Sequence, residues 1–272
     1  MFRITNWDDA YANAANIPEG DKWPAAWVGP AQAFRDQTQC QLDHPYGAQP
    51  REKFDLFLPK GVPKGLVVFV HGGFWIRLDK SYWSHLAAGP VTSGWAVAIP
   101  SYTLCPETNV TGIVTQIARA VETSAAMIAG PIHLAGHSAG GHIVARLICA
   151  DSPLSAKVAD RIAQVVSISG LHDLRPLLRT RLNNDIRLTE KEAAKQSPAL
   201  LVPRDGIPLT CWVGQSERSE FLRQNALLAN IWKGLGASTQ AIEEPDRHHF
   251  NVIDGLTDAN SPLCQTLLNQ KV

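Results

Sequence analysis

Short apolar runs that alternate with helical patterns constrain the fold of this chain most strongly. Residues 65–70 (GLVVFV) form a continuous run rich in β-branched residues, which is typical of a strand buried on both faces of a parallel sheet. Residues 111–129 place Ile113, Ile117 and Val121 at helical spacing. Further strand-like segments are 54–58, 95–100, 131–136, 163–170 and 208–214. Strands separated by helices predict an α/β fold with a doubly wound, mostly parallel sheet and helices on both faces.

The chain of 272 residues is long enough to bury the core of one such domain. It contains no internal repeat and no low-complexity linker, so we expect a single domain over residues 1–272. Two segments fit the sheet poorly. Residues 1–50 are rich in Trp, Ala and Pro and are expected to pack across the domain as a helix and loops. Residues 174–200 are polar and helical in pattern, which suits either a small cap or lid over a site or a plain connecting helix.

Charge and cysteine content exclude several classes of protein. Lys and Arg total 25, as do Asp and Glu, so neither nucleic acid nor an anionic membrane surface is an expected partner. No apolar run approaches the roughly 20 residues that span a bilayer, and the N-terminus lacks the apolar region of a signal peptide. Five widely spaced cysteines are expected to be reduced. We expect a cytoplasmic protein that takes a small-molecule substrate, with a homodimer left open.

A candidate nucleophile, Ser138, lies in the sequence Gly-His-Ser-Ala-Gly at residues 136–140. An apolar strand pattern precedes it and a helix-like run, residues 139–150, follows it. Strand, tight turn and helix make a nucleophile elbow, in which the serine is held in a strained conformation between small neighbours. The helix N-terminus also directs N–H groups toward developing negative charge. The alternative is a glycine-rich helix start with an incidental serine, but the flanking strand and helix favour the elbow.

The sequence His-Gly-Gly-Phe-Trp at residues 71–75 follows the strand at 65–70 and predicts an oxyanion loop. A hydrolase needs two or three backbone N–H groups aimed at its tetrahedral intermediate. The expected donors are the N–H groups of Gly73, Phe74 and Ala139. A glycine turn with two core aromatic residues is the alternative interpretation.

The general base and its acid are expected after the last strands. Beyond residue 172 the candidates for the base are His248 and His249, and we favour His249 because a helix-like segment begins directly after it. Glu217 is the favoured acid because it follows the strand at 208–214, with Asp173 as its competitor. The chain order serine, acid, histidine is that of α/β hydrolases.

Metal and cofactor motifs do not occur in the sequence. His137 and His142 are five residues apart and cannot share a helical face as metal ligands do. Neither the dinucleotide fingerprint G-x-G-x-x-G nor the P-loop motif is present. We therefore expect no metal and no cofactor.

Residues 71–80 (HGGFWIRLDK) closely resemble a segment of the kynurenine formamidases (arylformamidases), a branch near the hormone-sensitive-lipase-like esterases. The resemblance extends over nearly the whole chain, through residues 101–106 (SYTLCP), 136–142, 170–178, 214–224 and 249–250. It supports Glu217 as the acid, because the family places an acidic residue there. It implies an α/β-hydrolase fold and cleavage of an aryl formamide such as N-formylkynurenine by Ser138, Glu217 and His249, through a formyl-enzyme.

Two other functions stay open at the level of sequence. A carboxylesterase would use the same machinery with a broader acyl pocket, and a non-catalytic binding protein could share the scaffold. A formamidase needs a wide pocket for its aromatic leaving group. Phe74, Trp75 and Tyr102 are the candidate walls of that pocket, although core packing explains each of them equally well.

Overall fold

The protein is built on one sheet of eight strands, seen in a computed structural model that describes residues 4–269. The strands are β1 (Cys40–Pro45), β2 (Lys53–Phe57), β3 (Leu66–Val70), β4 (Ala96–Pro100), β5 (Ile132–His137), β6 (Ile162–Ile168), β7 (Leu209–Gly214) and β8 (Thr239–Glu244). Their order in the sheet is β1-β2-β4-β3-β5-β6-β7-β8. β2 pairs antiparallel with both β1 and β4, and the other neighbours pair parallel. The predicted mostly parallel sheet is therefore confirmed.

Six predicted strand segments correspond to β2–β7, with every end within two residues of its predicted position. The two edge strands, β1 and β8, were not predicted. Most of their side chains are exposed or half-buried, because an edge strand has one side in water. Their sequences are therefore polar and lack an apolar run. β1 lies within residues 1–50, so the expectation of only a helix and loops in that segment was wrong.

Helices cover both faces of the sheet. They are α1 (Trp7–Ala10), α2 (Trp23–Gln37), α3 (Ala88–Thr92), α4 (Val110–Met127), α5 (Ala139–Leu147), α6 (Ala156–Ala159), α7 (Asn183–Ile186), α8 (Glu190–Lys195), α9 (Ser219–Gly234) and α10 (Pro262–Leu267). The predicted helix at 111–129 is α4. Its first turn is capped by Asn109, whose Oδ1 accepts a hydrogen bond from the Gly112 N–H at 2.8 Å.

The side chains of β3 alternate between two hydrophobic cores. Leu66, Val68 and Val70 pack into one core together with α4, α5 and α9. Val67 and Phe69 pack into the other with residues of α2 and α10. Because successive strand residues point to opposite faces, a strand at the centre of this sheet must be apolar at every position. This explains why the central strands were visible in the sequence.

The two segments that fit the sheet poorly lie against each other. Residues 174–200 form two short helices, α7 and α8, between β6 and β7. Asp8 of the N-terminal segment accepts hydrogen bonds from Arg181, at 2.7 Å from its backbone N–H and 2.9 Å from Nε. At its other end, residues 174–200 contact α4, because Glu192 accepts a hydrogen bond from the Thr111 hydroxyl at 2.8 Å. Residues 1–3 of the predicted N-terminal segment lie outside the described residues.

Within residues 4–269, none of the helices combines the length and the apolar composition that crossing a membrane requires.

Replacing Val68 by Ala should destabilise the fold. Val68 is fully buried in β3, so the substitution removes apolar contacts and leaves a cavity, at a cost of about 2 to 3 kcal/mol in the free energy of unfolding. Val62→Ala is the matched control, since Val62 is 93% exposed and its truncation should change stability by less than about 0.5 kcal/mol. Urea denaturation measures both. Equal losses in the two variants would contradict this account of the core.

Candidate active site

Ser138 occupies the turn between β5 and α5 in a strained backbone conformation, with φ of 56° and ψ of −115°. Its N–H donates a hydrogen bond to the Ile168 carbonyl at 2.8 Å. The turn requires glycine at position 140, because a Cβ there would lie 1.9 Å from the carbonyl oxygen of Val70. Ser138 is thereby fixed at the N-terminus of α5, where the first-turn N–H groups have no acceptors within the helix. This is the geometry that the sequence predicted for an elbow.

His249, which follows β8, is hydrogen-bonded to Glu217, which follows β7. Nδ1 of His249 lies 2.6 Å from Oε2 of Glu217, and both side chains are buried. The other carboxylate oxygen, Oε1, accepts hydrogen bonds from the Ser169 hydroxyl at 2.5 Å and from the Gly214 N–H at 2.9 Å. The carboxylate is thus held in one orientation. With Nδ1 donating to Glu217, Nε2 of His249 is the nitrogen that can accept a proton.

The two competing residues have other partners. The ring of His248 packs edge-on against Trp23, with 5.0 Å between centroids, and its Nδ1 accepts a hydrogen bond from the Phe250 N–H at 3.2 Å. The carboxylate of Asp173 is bound by the guanidinium of Arg175 through two hydrogen bonds of 2.9 and 2.8 Å. Glu217 therefore contacts His249 rather than His248, and Asp173 contacts neither.

Ser138 and His249 line the same cavity. No hydrogen bond joins the Ser138 hydroxyl to His249 among the described residues. Such a contact is often long in an enzyme without substrate and tightens on binding. The imidazole is held between Phe221 and His137, each with its ring centroid 4.6 Å from that of His249. His137 also donates a hydrogen bond from Nε2 to the His249 carbonyl at 2.8 Å.

The loop after β3 lies directly against the candidate nucleophile. A Cβ at Gly72 would stand 3.0 Å from the Cβ of Ser138, so glycine allows this approach. No described residue accepts a hydrogen bond from the backbone N–H of Gly73 or Phe74. The N–H of Ala139 begins α5 and likewise has no helical acceptor. These three groups are the donors that the sequence predicted, and their free N–H groups suit the binding of an oxyanion.

A cavity of about 760 Å³ opens beside Ser138. Its aromatic lining residues are Trp27, Phe74, Trp83, His137, His249, Phe250 and Tyr11. The rings of Trp27 and Trp83 lie 4.4 Å apart between centroids, and Phe250 meets Trp27 edge-on at 5.6 Å. A cavity of this size and lining is suited to a small ligand with an aromatic ring.

Both segments outside the sheet contribute to the cavity wall. The N-terminal segment supplies Asp8, Tyr11, Ala12, Asn13, Ala14, Ala15, Gly20, Asp21, Pro24 and Trp27, and residues 174–200 supply Arg181, Leu182 and Asp185. Of the charged residues in this lining, Asp21, Arg77, Arg181 and Asp185 are exposed and Asp8 is half-buried. Part of the cavity wall is therefore built by chain that is distant from Ser138 in sequence.

Two of the three predicted pocket walls do not line this cavity. Phe74 does, but Trp75 and Tyr102 are fully buried and are absent from its lining. Trp75 packs edge-on against His142 at 5.2 Å. Tyr102 stacks on His71 at 4.4 Å and donates a hydrogen bond to its carbonyl at 3.1 Å. These side chains support the loop from behind, so their expected contact with substrate was wrong.

Sequence reasoning missed Trp27, Trp83 and Phe250 as pocket residues. The abundance of Trp in residues 1–50 was the available signal, but it did not reveal which indole faces the site. Within residues 4–269, no cluster of His, Cys, Asp or Glu is arranged to hold a metal ion. The cysteines Cys40, Cys105, Cys149, Cys211 and Cys264 are free thiols.

Comparison with known proteins places the chain in a family. Residues 67–260 match the model of the alpha/beta hydrolase family. The kynurenine formamidase of Danio rerio is 31% identical over 246 residues, which cover 86% of this chain and 83% of that relative. The chain is a kynurenine formamidase-like member of the alpha/beta hydrolase family. It is an enzyme with hydrolase activity, and its predicted α/β-hydrolase fold is confirmed.

Solved structures share the fold of this hydrolase. The crystal structure of a candidate thioesterase from Silicibacter sp. TM1040 is 46% identical in sequence, with a TM-score of 0.92 over 97% of the hydrolase and 99% of that chain. An esterase from Pyrobaculum calidifontis shares the fold at 16% identity, with a TM-score of 0.68 over 92% of the hydrolase and 90% of that chain.

Buried histidines surround the hydrolase site. Burial lowers the pKa of His71 and of His142 to about 4. Burial also holds the pKa of His137 well below its usual range, and the neighbouring His249 lowers it further. These three imidazoles are therefore neutral at pH 7. His142 is tied to residues 174–200 by a hydrogen bond of 2.7 Å from Nε2 to the Gln196 carbonyl.

The hydrolase should lose stability as the pH falls from about 6.5 toward 4. In that range the unfolded chain protonates these histidines more than the folded protein does, so His71 and His142 each favour unfolding by about 2 kcal/mol at pH 5. Replacing His142 by Gln should reduce the loss of unfolding free energy between pH 7 and pH 5 by about that amount. Urea denaturation at the two pH values tests this, and an unchanged loss in the variant would contradict it.

Replacing Glu217 by Gln should lower kcat/KM about 1000-fold or more, because the amide no longer stabilises a protonated His249. Asp173→Asn is the matched control and should cost less than about threefold, since Asp173 contacts Arg175 instead. Steady-state hydrolysis of p-nitrophenyl acetate measures both. A comparable loss of kcat/KM in Asp173→Asn would contradict the assignment of Glu217 as the acid.

Proposed function

We propose that this hydrolase cleaves the C–N bond of aryl formamides such as N-formylkynurenine, with Ser138 as nucleophile. The observation that carries the proposal is the aromatic cavity beside Ser138. Trp27, Trp83 and Phe250 provide flat apolar surfaces, against which the ring of an arylamine leaving group can pack. The likeness to kynurenine formamidases over most of the chain supports the same chemistry.

The acylation step begins with His249, whose Nε2 takes the proton of the Ser138 hydroxyl as its oxygen attacks the formyl carbon. The oxyanion of the tetrahedral intermediate accepts hydrogen bonds from the N–H groups of Gly73, Phe74 and Ala139. Glu217 stabilises the imidazolium that forms. His249 then gives its proton to the nitrogen of the departing arylamine, and the C–N bond breaks to leave a formyl ester on Ser138.

Deacylation uses the same groups in reverse. Water attacks the formyl ester while His249 accepts one of the water's protons. The oxyanion of this second tetrahedral intermediate accepts hydrogen bonds from the same N–H groups. Collapse of the intermediate returns the proton from His249 to Ser138 and releases formic acid, which ionises to formate in water. Esters and thioesters can react along this route because their carbonyl groups meet the same donors. The candidate thioesterase at 46% identity makes a thioester a useful comparison substrate.

The proposal is tested by comparing kcat/KM for N-formylkynurenine, p-nitrophenyl acetate and phenyl thioacetate. We expect the formamide to exceed both others, because the aromatic cavity binds its leaving group in the transition state. Ser138→Ala should abolish activity on all three and prevent labelling by a fluorophosphonate. A far higher kcat/KM for either ester or thioester would overturn the formamidase assignment. Full activity and labelling in Ser138→Ala would overturn the assigned nucleophile.

A further inference from the structure

Asn13 has an unusual environment for a polar side chain. It belongs to the N-terminal segment, lines the cavity beside Ser138 and is only 5% exposed. Both of its polar atoms, Oδ1 and Nδ2, lack a hydrogen-bond partner among the described residues. Buried polar atoms are hydrogen-bonded in the great majority of cases, so an unpaired carboxamide at a cavity wall indicates a group that binds something else.

Local structure does not account for this side chain. Asparagine before a helix usually caps its first turn, and two other asparagines in this chain do so: Asn6 accepts from the Asp9 N–H at 3.2 Å and Asn109 accepts from the Gly112 N–H at 2.8 Å. Asn13 directly precedes the 3₁₀ turn Ala14–Asn16, but its side chain makes no capping bond. Its carboxamide is therefore buried without a partner among the described residues.

The backbone around Asn13 is anchored to the part of the chain that carries Glu217. The Tyr11 hydroxyl donates a hydrogen bond of 2.8 Å to Glu220 in the first turn of α9. On the other side, Arg218 donates a hydrogen bond of 3.1 Å to Asn16. Both partners lie within three residues of Glu217. Asn13 is thus held in a defined position relative to the reacting groups, as a specificity residue must be.

We infer that Asn13 is a specificity-determining residue that binds a polar substituent on the aromatic leaving group. This inference rests on the proposed function. A carboxamide offers both a donor and an acceptor, so it suits a substituent that presents both, as the amino-acid side chain of N-formylkynurenine does. The terminal torsion of asparagine is soft, so the amide can turn toward a bound group at little cost.

Other groups of the same wall strengthen the assignment to substrate binding. The indole N–H groups of Trp27 and Trp83 also lack partners among the described residues, and both residues line the cavity. The wall therefore presents apolar rings, and its two indole N–H groups are buried without a partner among the described residues. Flat apolar rings suit the ring of an aromatic leaving group.

The test compares Asn13→Leu with the wild type on two aryl formamides. N-formylkynurenine carries the polar side chain and formanilide lacks it. We expect kcat/KM for N-formylkynurenine to fall about 10- to 100-fold, mainly through KM, while the value for formanilide stays within about twofold. The melting temperature of the variant should equal or exceed that of the wild type, because the substitution breaks no hydrogen bond of the protein.

Asn16→Leu is the matched control. Asn16 lies on the same turn but is exposed and bonds to the Ala12 carbonyl at 2.8 Å and to Arg218, so its replacement should lower the melting temperature and affect both substrates alike. The inference is overturned if Asn13→Leu changes both formamides by the same factor, or changes neither.

A second pair of substrates separates this inference from the proposed function. O-acetyltyrosine and phenyl acetate differ in the same way, by a polar substituent on the leaving group. Wild-type enzyme that cleaves these esters but neither formamide would refute the formamidase proposal alone. Asn13 would then be judged on the ester pair: a selective loss for O-acetyltyrosine in Asn13→Leu supports the inference, and an equal change or none for both esters overturns it.

Discussion

The close approach of α5 to the ends of β3 and β5 is the constraint on which the site depends. Gly140 allows the helix to contact the Val70 carbonyl, where any side chain would collide, and Ser138 accepts a strained φ as the consequence. The strain is tolerated because apolar strands and helices hold the turn from both faces of the sheet. In return, the serine lies beside both the N-terminus of α5 and the loop after β3.

Further contacts hold the candidate catalytic groups in place. Ser169 and Gly214 fix the carboxylate of Glu217, and the rings of Phe221 and His137 hold His249 from two sides. Tyr102 supports the loop after β3 through His71. These side chains explain why several polar residues are fully buried here: each one is oriented by a hydrogen bond rather than left to rotate.

Much of this arrangement was predictable because it is local. Leu66–Val70, the turn around Ser138 and the face of α4 each follow from residues close together in sequence, where backbone sterics and apolar periodicity act directly. The edge strands were missed because water on one side permits polar side chains. Trp75 and Tyr102 were placed in the wrong environment because an aromatic residue near a loop packs equally well behind it or in front of it.

The sequence by itself determined the central strands, the strained serine turn and the chain order of Ser138, Glu217 and His249. Only the tertiary structure decided that Glu217 rather than Asp173 meets His249, since that choice depends on where Arg175 lies. It also decided that Trp27, Trp83 and Asn13 line the cavity. Sequence patterns indicate which residues are buried, because buried side chains recur with the period of a helix or a strand. They do not record which distant segments meet, because that is set by how the whole chain packs.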